Sequence, residues 1–370
     1  MRHCVVLGGR SHPDLVDAIC RKLQVEKVDV LCGEFSNGES SVKIIESVRE
    51  KHVYVIQTAF GEVNTSFMEL LIMISACKSA SAQSVTAVLP LFPYSRQINL
   101  HNAISSREHK MEPAIPVLRP GLHTSPSKPL LNRSITPDIS QSSRKALPEI
   151  QFNSGYKLWI AETGPLIAQL LQGAGTDNII TVDLHDPQYQ GFFDIPMDNL
   201  YGRPLVEQFI IRNIPNYKEA VIVSPDAGGA KRATAIADDL GSRFALIHKD
   251  RRNNATILVG NVQARVAILI DDLCDTGKTI VRAAKVVKDH GATEIWAICT
   301  HGVFSNNAVE LIKKSPITHF VVSNSVPQFK HQFGGMLKVM DVSHILAEAI
   351  RRIHNGESIS MPYEHALTML

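Results

Sequence analysis

Val266-Ala267-Ile268-Leu269-Ile270-Asp271-Asp272-Leu273-Cys274-Asp275-Thr276-Gly277-Lys278-Thr279 is the stretch that decides the fold class. The apolar run Val266 to Ile270 has no polar alternation, which suits a strand covered on both faces. It leads straight into two carboxylates. A short turn follows, and a helical pattern begins near Thr279 and stops at Gly291. In open α/β sheets, ligands bind outside the carboxyl ends of the strands. The turn Asp275 to Thr279 can aim backbone N–H groups and two hydroxyls at a phosphate, helped by the helix N-terminus. Asp271 and Asp272 cannot bind phosphate. They suit sugar hydroxyls, or a Mg²⁺ ion held through them. A phosphate at one end and a diol at the other describe a phosphorylated ribose. The bland alternative is an Asp-rich cap and turn with no ligand; three acids and two threonines in nine residues after an apolar strand weigh against it.

Similar units recur outward from this stretch. Val53 to Ile56, Val85 to Leu89, Ile179 to Val182, Val221 to Val223, Phe244 to Ile247, Ile295 to Cys299 and Phe320 to Val322 are further buried-strand runs. Helical patterns lie between them. Phe67 to Lys78 is opened by Ser66 and Glu69 as a capping box, and Lys231 to Leu240 is stopped by Gly241. His344 to Ile353 ends at Asn355-Gly356. Strand and helix alternate, so the expected class is α/β with mainly parallel sheets. The units form two sets, which predicts one domain over residues 1–204 and a second over 205–370. Residues 98–157 break the pattern with Ser, Pro and scattered charge; they are expected to be a largely disordered insertion in the first domain.

The bulk composition excludes several classes. With 370 residues, 44% of them hydrophobic, the chain can build real cores. Its net charge of +2 gives no field for nucleic acid or a membrane surface. No segment offers about 20 uninterrupted apolar residues, so no membrane span is expected. The start Met1-Arg2-His3-Cys4 lacks a signal peptide's apolar stretch. The six cysteines show no CxxC pair, and reduced thiols in the cytoplasm are the simplest reading.

Further polar clusters follow other strands. Asp183-Leu184-His185, with Asp194 and Asp198 after it, suits a metal or a phosphate–metal pair, because Asp183 and His185 fall on one side of an extended chain. Structural hydrogen bonding is the plain alternative for a lone Asp-x-His. Ser224-Pro225-Asp226-Ala227-Gly228-Gly229 lets the backbone approach a ligand closely, or is a simple strand–helix turn. His248-Lys249-Asp250-Arg251-Arg252 clusters cations that would stabilise a transferring polyphosphate, or is a solvated turn.

Taken in order, these motifs resemble the phosphoribosyl pyrophosphate (PRPP) synthetases, the ribose-phosphate diphosphokinases. The matching stretches include Phe35 to Glu39, Met68 to Met73, Phe92 to Gln97, Asp183 to Tyr201, Ser224 to Arg232, Asp271 to Thr279, Thr300-His301-Gly302 and Ala347 to Arg352. They cover nearly all of the chain outside residues 98–157, and an insertion at that place is similar to fungal-type subunits. The resemblance implies two phosphoribosyltransferase-type α/β domains, assembly into homo- or hetero-oligomers such as hexamers, and Mg²⁺ as cofactor. The implied reaction moves the β,γ-diphosphoryl group of ATP to the C1 hydroxyl of ribose 5-phosphate. It also implies residue roles. Phe35, Asn37, Glu39, Arg96 and Gln97 would contact ATP. Asp183, His185, Asp194, Asp198 and Asp226 would serve Mg²⁺. Lys249 and Arg251 would be the catalytic cations. Asp271, Asp272, Asp275, Thr276, Gly277, Lys278 and Thr279 would hold ribose 5-phosphate. The chain departs from the family after Gln97, where a Ser-Arg-Ala-Pro loop has no counterpart. It departs again in the arm from Lys249 to Gly260, which is shorter, and at Lys278, which stands in place of glycine. These departures keep a non-catalytic, regulatory or structural subunit open as the second reading.

Overall fold

The structure, a computed structural model, describes residues 1, 3–95, 162–249, 256–328 and 333–359, with Lys249 described by its backbone alone. The insertion expected over residues 98–157 lies outside the described residues, as do Arg96, Gln97 and Arg251.

Two parallel sheets organise the chain. The first has six strands in the order β2-β1-β5-β6-β7-β8. These are β1 (Cys4–Gly8), β2 (Lys27–Val28), β5 (His52–Ile56), β6 (Ser84–Leu89), β7 (Asn178–Val182) and β8 (Met197–Leu200), and every pairing is parallel. β3 (Val30–Glu34) and β4 (Ser40–Ile44) form a separate antiparallel hairpin. The second sheet has seven strands in the order β11-β10-β9-β12-β13-β14-β15. They are β9 (Val221–Ser224), β10 (Arg243–Lys249), β11 (Thr256–Val259), β12 (Val266–Cys274), β13 (Glu294–Gly302), β14 (His319–Ser323) and β15 (Leu337–Met340). Only β10 and β11 pair antiparallel within it. The α/β class with mainly parallel sheets is therefore realised.

Helices cover both faces of each sheet, which is why the strands read as continuous apolar runs. On the first sheet, α2 (Val63–Ser79) and α3 (Thr163–Ala174) close one face over Val55, Val85 and Ile179. On the second, α6 (Lys278–Asp289) and α7 (Ala308–Lys313) close one face, and α4 (Arg203–Asn213) and α5 (Ala230–Leu240) close the other. The remaining face of the first sheet is covered by α1 (Pro13–Leu23) together with the last helix, α8 (Ser343–Asn355). Leu346 and Ile350 of α8 are fully buried beside Val6, Tyr54 and Val88. The chain thus returns from the second sheet to finish the core of the first.

The helix stops follow the sequence: Gly241 and Gly356 take the left-handed conformation that ends α5 and α8. Two expectations are corrected. β12 does not end at Ile270; pairing of Leu273 with His301 and of Cys274 with Gly302 carries it on to Cys274. α2 starts at Val63 rather than Phe67, and its N-cap Glu62 makes no side-chain cap bond. Glu69 then falls in the second turn, where it is buried and bonded to other partners, so no capping box forms.

All six cysteines are free thiols. No helix among the described residues is long and apolar enough to cross a membrane.

If α8 is integral to the first sheet's core, Leu346→Ala removes a fully buried side chain and lowers stability by about 2–5 kcal/mol. Urea unfolding followed by circular dichroism measures this. A loss below about 0.5 kcal/mol, the usual size of a surface substitution, would contradict that placement.

Candidate functional site

The polar ends of β7, β9, β12 and β13 meet where the two sheets face each other. Asp183 follows β7 directly, at φ 41°, a left-handed conformation uncommon for a side-chain-bearing residue. Its carboxylate is buried and accepts from the Gly202 amide at 3.0 Å and from the Thr300 hydroxyl at 2.5 Å. Gly202 is required here, because a Cβ at that position would lie 2.6 Å from Asp183 Oδ2. His301, next along β13, sets Nε2 at 3.0 Å from the Val182 carbonyl and Nδ1 at 2.8 Å from the Ser325 hydroxyl. Burial pulls the His301 pKa down, so the neutral imidazole is favoured.

His185 and the acidic strand are brought together. His185 Nδ1 lies 2.6 Å from Asp272 Oδ2, and Arg232 Nη1 lies 3.4 Å from the other oxygen. Burial alone would raise the Asp272 pKa. The His185 hydrogen bond and the Arg232 charge overcome it and hold the carboxyl well below its ordinary range. Asp271 moves the other way, pushed up by burial and then by the adjacent Asp272 charge. Asp271 accepts the Asp272 amide at 2.9 Å. The neighbouring acids are therefore separated in role: Asp272 ionises first, and Asp271 keeps its proton longer. Asp226 is exposed at the end of β9, where it accepts the Gly229 amide at 3.1 Å and adds to the field on Asp271. A cleft lined by Phe92, Ser95, Asp183, His185, Leu273 and His301 runs alongside. A larger groove between α2 and α3 has no titratable side chain in its lining, and it is not where the chemistry lies.

The turn after β12 answers the question raised by Lys278. The positive φ, 71°, falls on Gly277, the N-cap of α6, while Lys278 is the first helical residue and lies on the surface. Lysine is tolerated there because the strained position is one residue earlier. The N-cap Gly277 has no side chain to bond the first amides of α6, and a helix N-terminus of this kind suits an anion. Thr276 is exposed and Thr279 half-buried on the same turn.

The other candidate residues lie apart from this cluster in what they bond. Asp194 is tied to Gln172 of α3, its amide donating to Gln172 Oε1 at 2.8 Å. Asp198 is half-buried on β8, and burial raises its pKa. Phe35, Asn37 and Glu39 occupy the tip of the β3–β4 hairpin, with Phe35 59% exposed. Among the described residues, no three His, Cys, Asp or Glu side chains converge in a way that could hold a metal ion by themselves. Lys249 pairs with Thr256 at the end of the β10–β11 hairpin, and only its backbone is described. Arg232, Thr300 and His301 were not assigned roles from sequence. Thr300-His301 at the end of an apolar strand was the available signal for two of them.

Thr300→Val would leave one buried oxygen of Asp183 without its donor. It should lower stability by about 1.5–3 kcal/mol, the range for a hydrogen bond to a charged group. Thr300→Ser should restore most of the loss. Equal denaturation midpoints for Thr300→Val and the unaltered chain would show that the bond carries no weight.

Known proteins match this chain along most of its length. Residues 4–110 match the model of the N-terminal domain of ribose phosphate pyrophosphokinase, and residues 254–364 match the phosphoribosyl synthetase-associated domain. Ribose-phosphate pyrophosphokinase 5 of Schizosaccharomyces pombe is 51% identical over 370 residues, covering 99% of this chain and 98% of that protein. The crystal structure of phosphoribosylpyrophosphate synthetase from Mycobacterium smegmatis superposes with a TM-score of 0.76 at 30% identity, over 95% of this chain and 99% of that one. The resemblance to a fungal-type subunit is thus matched by a fungal relative along the whole chain. On the extent of these matches, the chain belongs to the ribose-phosphate pyrophosphokinase (PRPP synthetase) family.

Proposed function

We propose that this chain is a ribose-phosphate diphosphokinase subunit, transferring the diphosphoryl group of MgATP to the C1 hydroxyl of ribose 5-phosphate to give PRPP and AMP. The observation that carries this reading is the adjacency of a helix N-terminus begun by Gly277, a split acid pair and the His185–Asp272–Arg232 contact. The amides of α6 with Thr276 and Thr279 would take the 5-phosphate. Asp271 and Asp272 would take the ribose hydroxyls. In the transfer, the C1 oxygen attacks the β-phosphorus in line, the bond from that phosphorus to the α-side bridging oxygen breaks, and AMP leaves with that oxygen. Holding the sugar at two ends is what aligns C1 for this displacement.

The donor set here fits Mg²⁺ in part. Asp226 offers an exposed carboxylate, and His185 offers an imidazole whose Nδ1 is held by Asp272. When bound with ATP, Mg²⁺ would neutralise charge on the β- and γ-phosphates. Asp183, with both oxygens bonded to protein, serves better as scaffold than as ligand. Lys249, the last residue of β10, and Arg251 remain the proposed catalytic cations. Phe35, Asn37, Glu39, Arg96 and Gln97 remain the proposed ATP contacts.

Lys278 gains a role from its position. A cation in the first turn of a helix opposes the macrodipole, which costs about 0.3–1 kcal/mol. A bound phosphate would reverse that sign. Lys278→Ala should therefore stabilise the free chain slightly and weaken ribose 5-phosphate binding about fivefold, read by calorimetric titration. Unchanged affinity would remove Lys278 from the site.

We further propose that the chain works in the cytoplasm, which six free thiols support. We propose assembly with copies of itself or related subunits. The outer face of α2 and α3, where Met68, Leu166 and Leu170 are exposed, supports that.

The second reading, a regulatory or structural subunit, is favoured by the missing Ser-Arg-Ala-Pro loop after Gln97. One assay separates the two. AMP release from ATP, ribose 5-phosphate and Mg²⁺ by the purified chain should fall about 10²–10³-fold in Lys249→Ala. Turnover that appears only with a related subunit, and that Lys249→Ala does not alter, assigns the second reading.

A further inference from the structure

A chain of polar contacts, buried at its inner end, runs from the β1–α1 loop to the base of the β3–β4 hairpin. Glu69 projects from the apolar helix α2 and is 1% exposed. A carboxylate so buried must be bonded on both oxygens. Gln57 Nε2 donates to Oε2 at 3.0 Å, and Arg10 Nε donates to Oε1 at 2.5 Å. Arg10 does not stop there. Its Nη2 donates at 2.8 Å to Glu34, the last residue of β3 and the one directly before Phe35. One guanidinium therefore bridges a fixed, buried acid and a half-exposed acid at the hairpin base.

The anchor on the inner side is rigid. Gln57 is buried, and its Oε1 accepts from Ser11 Oγ at 2.6 Å and from the Ser11 amide at 3.2 Å. Ser11 Oγ in turn accepts the Thr58 amide at 2.9 Å. Gly9 makes room for this: a Cβ there would lie 2.2 Å from Gln57 Oε1. The outer side is the opposite. β3 and β4 belong to neither large sheet, and a two-stranded hairpin is marginal by itself. Its apolar inner face, Val30, Cys32, Val42 and Ile44, packs on the core under α2, which fixes its body but not the tip from Phe35 to Glu39.

We propose that Arg10 is a positioning residue for nucleotide binding: through Glu34 it sets the angle at which the hairpin tip is presented to ATP. This rests on the reading above that the tip contacts ATP. Arginine is needed rather than lysine, because a planar fork reaches two carboxylates from one stem whereas an ammonium is a single point charge. Asn37 and Gly38 shape the tip internally, through the Asn37 side chain on the Glu39 amide and through φ 87° at Gly38. Glu34 orients it as a whole.

Calorimetric titration of the full chain with MgATP, and separately with ribose 5-phosphate, tests this. Arg10→Ala would strand the Glu69 carboxylate and risk misfolding, so Glu34→Ala and Arg10→Lys are the informative variants, each checked for an unchanged melting temperature. Both should weaken ATP binding about fivefold and leave ribose 5-phosphate binding within about twofold. The double variant should be no weaker than either single one, as expected for one shared contact. Phe35→Ala reports on the underlying reading. If Phe35→Ala weakens ATP binding and Glu34→Ala does not, the positioning role is overturned and the hairpin keeps its ligand. If Phe35→Ala has no effect, both fall. If Glu34→Ala weakens both ligands equally, the contact is merely structural and the proposal is overturned.

Discussion

A carboxylate taken out of water has to be met by donors, and Asp183 is met from two directions. Its backbone belongs to the end of the first sheet, while Thr300 reaches it from β13 of the second and Gly202 from the connection between them. His301 repeats the tie, from β13 to the Val182 and Asp183 carbonyls. Thr58 adds another, its hydroxyl donating to the Ser325 carbonyl at 2.7 Å. These bonds hold the strand ends of one sheet against those of the other. The acidic stretch of β12, His185 and Asp226 then collect along that seam.

Within that seam, charge is divided rather than pooled. Two adjacent carboxyls in one buried place cannot both ionise cheaply. Asp272 has His185 and Arg232 and becomes the anion; Asp271 has burial and a negative neighbour and keeps its proton longer. The electrostatics of the protein alone thus make two adjacent carboxyls unlike one another, next to the N-terminal end of α6.

Much of this was legible in the sequence, for identifiable reasons. Strands buried on both faces announce themselves as unbroken apolar runs, and glycines past a helix end mark where it stops, as at Gly241 and Gly356. The acidic stretch after Val266 to Ile270 was legible as a polar cluster at a strand end, because three acids and two threonines follow an unbroken apolar run within nine residues. What was not legible depends on pairing across the chain. β12 continues to Cys274 because β13 is there to receive it. Glu69 has the spacing of a capping box, yet it serves Arg10 and Gln57 from elsewhere in the fold. The hairpin, α1, α3 and β15 carry weaker patterns, since their burial is partial or one-sided. Lys278 looked like a misfit until the backbone showed that Gly277 absorbs the unusual conformation.

The return of α8 to the first sheet has a bearing on how the protein comes into being. All strands of that sheet are complete by Leu200, yet one face of it waits for a helix that starts at Ser343. At ordinary rates of synthesis the interval is roughly 10–30 s. For that time Val6, Tyr54, Val88 and Ile180 have α1 but lack their second cover. A nascent chain in this state presents an apolar surface to whatever is nearby, so the ribosome-bound protein is a natural client for chaperones, and premature termination within the second sheet leaves an adhesive fragment rather than a shorter working protein.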